Sequence, residues 1–279
     1  MLRLACGRAR PEPAAVRKRI RCIEWAGDSN PGRRMSSRLH NLVIESVGKR
    51  IISGELAAGD TMHSEHLETQ LQVSRSVARE AVRVLQSLGL VETVKRVGIR
   101  VLPETNWNVF DPSVIRWRLA ASGKGAQLRS LTELRSAVEP AAAELAARHA
   151  PADLGAELLA VAAKMRSVGR AGDLQQFLDL DIHYHGLVLA ASGNEMFAQM
   201  RSIIAEVLRG RTDYGLMPER PHEEALQLHM DVADAISGGD PEAARSAMDL
   251  IMRRTMAEVG SVWADEPRIF TPLSPSGSV

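Results

Sequence analysis

Two spacings in this sequence set reactive side chains beside one another. Asp181 and His185 stand four apart in "DLDIHYHGLVLAAS", so a helix would bring them to one face and offer two ligands to one divalent cation. His183 lies two residues from each and points elsewhere, while His229 in "LQLHMDVADAI" holds an apolar helical position from which a third ligand could come. The same residues also suit an Asp–His hydrogen bond beside a satisfied core histidine, and spacing leaves both readings open. Arg75, Arg79 and Arg83 in "VSRSVAREAVRVLQSLGL" are likewise four apart. Like charges at that spacing repel by roughly a few tenths of a kcal/mol per pair. The stripe is either a solvated face or a surface made for a polyanion.

The residues around the stripe favour the second reading. From Ser37, Leu39, Leu42, Val43, Val47 and Ile51 recur at spacings of three and four, which predicts a helix. "SGELAAGD" breaks it, "SEHLETQLQV" predicts a short second helix capped by Ser64, and Ser74 caps a third that ends at Gly89. "LVETVKRVGIRVL" then reads as a two-stranded ribbon with a basic tip at Lys95, Arg96 and Gly98. Three helices and a ribbon make a winged helix-turn-helix over residues 37–102. Val77, Ala81, Leu85 and Leu88 then face inward, and Arg75, Ser76, Arg79 and Arg83 face out. Duplex DNA would turn that repelling stripe into a binding surface by phosphate neutralisation and guanine readout in the major groove.

Composition sets the bounds. The chain has 279 residues, 45% of them apolar and 25% charged, the balance of a globular protein long enough for one or two domains. No run of apolar residues suggests a membrane span. Two cysteines, Cys6 and Cys22, leave no disulfide framework and lead us to expect a reducing cytoplasm. The net charge is only +1, yet residues 1–36 hold nine Lys/Arg against three Asp/Glu. Their Arg-, Pro- and Gly-rich text predicts a disordered basic arm, with Met35 as an alternative start of the chain.

Residues 103–125 carry Trp107, Phe110, Ile115 and Trp117, too apolar for a free linker, and predict a segment docked between two domains. Core packing suits Trp107 and Trp117 better than an aromatic ligand cage. Residues 126–262 read as six or seven amphipathic helices jointed by Gly, Asn, Asp or Pro, hence an all-α antiparallel bundle. The expected fold is therefore mostly α, a winged helix-turn-helix followed by a helical bundle, with residues 263–279 as a disordered tail.

"IISGELAAGD" and "VSRSVAREAVRVLQSLGLVETVKRVGIRV" resemble the DNA-binding domain of GntR-family transcription regulators. That resemblance implies that Arg75, Arg79 and the wing tip from Lys95 to Gly98 contact operator DNA, with Ser74 and Ser76 on phosphate. Glu65 or His66 stands where the family often has an arginine. "ELRSAVEPAAAELAA", "DLDIHYHGLVLAASGN" and "LHMDVADAISGGDPEAA" resemble the FCD effector domain of the FadR-type members. This implies a divalent metal such as zinc, held by one aspartate and three histidines, beside a carboxylate effector. Asp181, His185 and His229 match three of the ligands; the fourth position is Ile251, which coordinates nothing, so the set is reduced to three.

The resemblance also gives Arg135 the role of clamping the effector carboxylate, where its local alternative is an ion pair with Glu139. Asn194 likewise matches an effector residue, with a helix cap as its alternative. "NWNVFDPSVIRWRLA" and its neighbours resemble most the D-galactonate-responsive repressor branch, implying a sugar acid such as an aldonate against Arg135, Asp181, His185, His229 and Asn194. The expectation is a ligand-responsive repressor and not an enzyme, a homodimer on double-stranded operator DNA with a small carboxylate as effector. Two alternatives stand beside it. The metal itself could be the signal, or Asp181, His185 and His229 could serve a metal-dependent hydrolase or isomerase, for which no nucleophile–base pair is present.

Overall fold

The computed structural model describes residues 31–122, 124–218 and 220–268. The readings for residues 1–30 and 269–279 lie outside these. The N-terminal unit is built from α1 (Pro31–Ile52), β1 (Thr61–Met62), α2 (Ser64–Leu71), α3 (Arg75–Ser87), β2 (Val91–Val94) and β3 (Gly98–Val101). Helix α1 starts six residues before the apolar period, inside the stretch expected to be an arm, at a proline whose missing N–H suits the first helical turn. The ribbon is wider than expected. β1 joins it to give an antiparallel sheet in the order β1-β3-β2, with Met62 opposite Ile99 and Glu92 opposite Arg100. Val43, Val47, Leu67, Val77, Leu85 and Ile99 close one core between the helices and this sheet.

The bundle comprises α5 (Lys124–His149), α6 (Ala152–Ala171), α7 (Leu174–Ala191), α8 (Glu195–Gln199), α9 (Arg201–Asp213), α10 (Glu223–Gly238) and α11 (Pro241–Val259). Local chemistry sets several of its joints. Asp173, Asn194 and Asp240 cap α7, α8 and α11 through their side-chain oxygens, and Gly172 and Gly239 end α6 and α10 in the left-handed conformation. Its core runs through Leu158, Met165, Tyr184, Val188, Val232 and Met248.

Between the two units lies α4 (Pro112–Ala120), capped by Asp111 and apolar on two faces. Val114 and Trp117 enter the N-terminal core, while Ile115 and Leu119 pack with Leu128, Ile203 and Val207 of the bundle. Trp117 donates from Nε1 to Glu45 Oε2 at 2.8 Å. Its ring lies so close to α1 that a Cβ at Gly48 would come within 2.5 Å of it. Trp107 packs against the N-terminal core. Phe110 corrects the expectation for this segment: it is 59% exposed, because it precedes the Asp111 cap and lies outside the helical faces. A second correction concerns the tail. Residues 263–268 are not free: Arg129 donates to the carbonyls of Trp263 and Glu266, and Arg268 pairs with Glu133 at 2.8 Å. Among the described residues no helix is long and apolar enough to cross a membrane.

Candidate functional site

On α3 the local sequence sorts the side chains as the spacing predicts. Val77, Ala78, Ala81, Val82 and Leu85 are buried, and Arg75, Ser76, Arg79 and Arg83 are exposed. Ser74 Oγ accepts from Val77 N at 3.4 Å and lies 3.0 Å from Ser76 Oγ, so the hydroxyl pair sits at the helix N-terminus. Arg83 is held by Glu80 at 2.6 Å, whereas Arg75 and Arg79 form no ion pair with another described residue. The Ser64 cap expected for α2 is a correction. His63 holds that position without a side-chain bond, and Ser64 is already helical.

At the wing, Lys95 and Arg96 are exposed on the turn between β2 and β3. Gly98 has φ 108°, and a Cβ there would meet the Met62 carbonyl at 2.6 Å, so only glycine lets β1 close on β3. The α3 stripe and the wing tip thus each expose basic side chains.

The second constellation is buried in the bundle. Asp181 and His185 on α7 meet His229 of α10, one ligand atom of each lying within 4.8 Å of the others. His185 Nε2 and His229 Nε2 approach the same oxygen, Asp181 Oδ1, at 3.3 and 3.4 Å. His229 Nδ1 lies 2.6 Å from the Ala225 carbonyl, and its Nε2 faces the Asp181 carboxylate without a hydrogen bond to any described residue. His185 Nδ1 lies 2.5 Å from Glu139 Oε2, out of line for a good N–H···O bond. Tyr184 donates to the His229 carbonyl at 2.7 Å and ties α7 to α10. His183 is exposed beside Glu157, as its offset of two requires.

These contacts set the charges. Burial alone would lower the His185 pKa, but the Glu139 and Asp181 carboxylates raise it to about 9. Burial pushes Glu139 up, and Arg135 and His185 bring it down to about 2. Burial acts on Asp181 in the same sense, and its two histidines hold it well below the carboxylate range.

Two nitrogens and one oxygen, each histidine turned so that its other nitrogen meets an oxygen, form a donor set that fits a divalent ion of the zinc type. His229 Nε2 has no hydrogen-bond partner among the described residues although it faces Asp181 Oδ1, and a cation between them would be bound by both. Asp181, His185 and His229 would hold the ion. Ile251 lines the same cavity as a buried apolar wall and adds no ligand.

That cavity, about 50 Å³, is walled by Arg135, Asp181, His185, Arg211, His229 and Thr255, among others. Arg135 is 1% exposed and grips Glu139, from Nε at 2.6 Å, so the local pairing read from the sequence is present, while its Nη1 has no partner among the described residues. Asn194 is elsewhere. Its oxygen caps α8 by accepting from Met196 N at 2.9 Å, and it does not line the cavity.

Arg211 and Glu139 went unremarked as site residues in the sequence. Arg211 had a legible signal, for it continues the apolar face of Ile204, Val207 and Leu208 on α9, where a charge is out of place. Glu139 was legible only as a local pair, since its burial depends on α7.

Residues 39–101 match the family described as "Bacterial regulatory proteins, gntR family", and residues 130–254 match the FCD domain. The Galactonate operon transcriptional repressor of Escherichia coli K12 is 30% identical over 209 residues, spanning 74% of this chain and 90% of that protein. The HTH-type transcriptional regulator LutR of Bacillus subtilis 168 is 32% identical over 209 residues, spanning 71% and 90%. YieP of Escherichia coli K12, an uncharacterized HTH-type transcriptional regulator, is 28% identical over 216 residues, spanning 77% and 93%.

Proposed function

The chain belongs to the GntR family of bacterial DNA-binding transcription regulators, with an FCD domain, and not to an enzyme family, and from that premise we propose that it is a repressor released from its operator by a small sugar acid. The observation that carries this reading is the buried Asp181–His185–His229 set with both Nε2 atoms on one carboxylate oxygen, walled by Arg135 in one cavity. A divalent ion there would supply a Lewis-acidic centre with positions open to acid and hydroxyl oxygens. Arg135 Nη1 adds a donor, and Thr255 a hydroxyl. An aldonate suits this chemistry, and galactonate is named in one relative.

The cavity is too small for a six-carbon acid as it stands, at about 50 Å³ against roughly 150 Å³ for a cavity that holds benzene. The walls must part to admit the effector. A ligand that binds only the opened bundle shifts the population toward it, and α4, packed on both units, is placed to pass that change to α1 and α3. Arg75, Arg79, Arg83, Lys95 and Arg96 hold the operator, and Ser74 and Ser76 the adjoining phosphates. A homodimer follows from the symmetry of operators, since two α3 helices one turn of DNA apart bind far more tightly than one.

The test is a thermal-shift and operator-release series with sugar acids, with added zinc and after chelation. Galactonate should raise the melting temperature and free the DNA. Loss of both effects on chelation would support the metal-assisted form, and persistence would make the histidines and Arg135 direct contacts. The small cavity also favours a second reading, in which the ion alone is the signal. In that case zinc should free the DNA without any acid, and Arg135→Lys should leave the response intact.

A further inference from the structure

The acids around the cavity can be assigned one by one, and the assignment leaves one cation short. Glu139 is committed to Arg135, with Oε1 2.6 Å from Nε and Oε2 3.5 Å from Nη2, and it also approaches His185. Asp181 is committed to His185 and His229. Glu258 on α11 is divided. Its Oε2 accepts from Arg211 Nη2 at 3.1 Å and its Oε1 from Arg254 Nε at 3.0 Å. Arg254 reaches a second acid, Glu224, at 2.8 Å. Arg211 has only its share of Glu258, although it is 4% exposed and its Nε lacks a partner among the described residues. A buried guanidinium with an unmet N–H is costly unless something accepts from it.

We propose that Arg211 is the residue that takes the acidic group of the ligand in this cavity, with Arg135, already neutralised by Glu139, a secondary donor through Nη1. The assignment deepens the reading of the cavity as a small-acid site and rests on it. The ligand class is a compact organic carboxylate set on the Nε edge of Arg211, since a guanidinium edge and a carboxylate match in a planar two-bond fork. Burial and the repulsion of Arg135 pull the Arg211 pKa below the ordinary arginine value, and an incoming anion relieves both. Glu258 then acts as a competitor. It holds the guanidinium that the ligand needs, so the ligand must loosen a link between α9 and α11.

The test is isothermal titration of the full chain with galactonate, its neutral analogue galactitol, and inorganic phosphate, on the wild type and on Arg211→Gln, Arg211→Lys and Glu258→Gln. Arg211→Gln should weaken galactonate about 10- to 100-fold and erase its advantage over galactitol, with Arg211→Lys between. Glu258→Gln should tighten galactonate by about 3- to 10-fold and leave galactitol unchanged, an outcome that a merely structural Arg211 does not give. The Glu258→Gln arm decides the matter if Arg211→Gln fails to fold. Wild-type affinity in Arg211→Gln, or weaker binding in Glu258→Gln, overturns the assignment. If the wild type ignores galactonate but binds phosphate through Arg211, the sugar-acid reading falls and the assignment of Arg211 stands. If it binds neither anion, both fall.

Discussion

Arg75 and Arg79 on α3 stand in water without an ion pair to any described residue, whereas Arg135 and Arg211 are almost wholly buried and each grips a carboxylate. Both sets are proposed above for the recognition of anions, and their surroundings explain why they are built differently. Water screens the exposed stripe, so its mutual repulsion is small and the arginines can wait for a polyanion. Inside the bundle no solvent does this, and each guanidinium must be matched by an acid before any ligand arrives. The surface therefore carries unmatched charge, while the core carries it only as a fraction, at Arg211, which shares Glu258 with Arg254.

The comparison is broken most readily by removing an acid from the buried set. Glu139→Gln should destabilise the fold by about 3–5 kcal/mol, since it strands Arg135 and weakens the hold on His185. Arg79→Ala should stay within about 0.5 kcal/mol of the wild type, as surface changes do. Equal denaturant midpoints for the two variants would end the distinction.

Saturating zinc comes next. At about a hundred times its dissociation constant it should stabilise the chain by about 2.7 kcal/mol. Chelation or His229→Ala should remove that gain, read as a shift in the unfolding midpoint. The α3 stripe answers in the opposite currency. Arg79→Ala should cost about 1–3 kcal/mol in operator affinity without moving the unfolding curve.

Titration of the buried set sharpens the contrast further. The folded pKa of Glu139, about 2, lies below its ordinary value of 4.5, so its contribution is complete above 4.5 and is lost as pH falls toward 2. The folded pKa of His185, about 9, lies above 6.5, so its contribution is complete below 6.5 and is lost as pH rises through 9. For the metal-free protein, denaturant midpoints should peak between pH 4.5 and 6.5. A midpoint that keeps rising to pH 9 would contradict the His185 environment. The smallest effect belongs to the wing, where Lys95→Ala should lower the slope of log affinity against log salt by about one.

Much of this was legible in the string of residues because it is local. Spacings of three and four give the buried and exposed faces of α3, Ser74 and Gly89 bound it, and the i,i+4 offsets put Arg135 by Glu139 and Asp181 by His185. Each depends on backbone geometry that repeats within a few residues. Ser64 misled because a hydroxyl near a helix start can cap it only if the chain turns at that residue, and it turns at His63. Phe110 misled because apolar character does not say which side of a short segment will meet a neighbour.

By itself, then, the sequence determined the order of the helices, the outward arginine stripe and the two local acid–base pairs. Tertiary structure alone decided that His229 would close on Asp181, that Arg135 would come within reach of His185 fifty residues away, and that Glu258 would be shared by Arg211 and Arg254. The reason is physical. A helix's own hydrogen bonds impose a period that any sequence displays, but which helix faces converge on one cavity is set by how α5, α7, α9, α10 and α11 pack their apolar sides together. The charges in that cavity acquire their partners, and Arg211 its shortfall, only once that packing is complete.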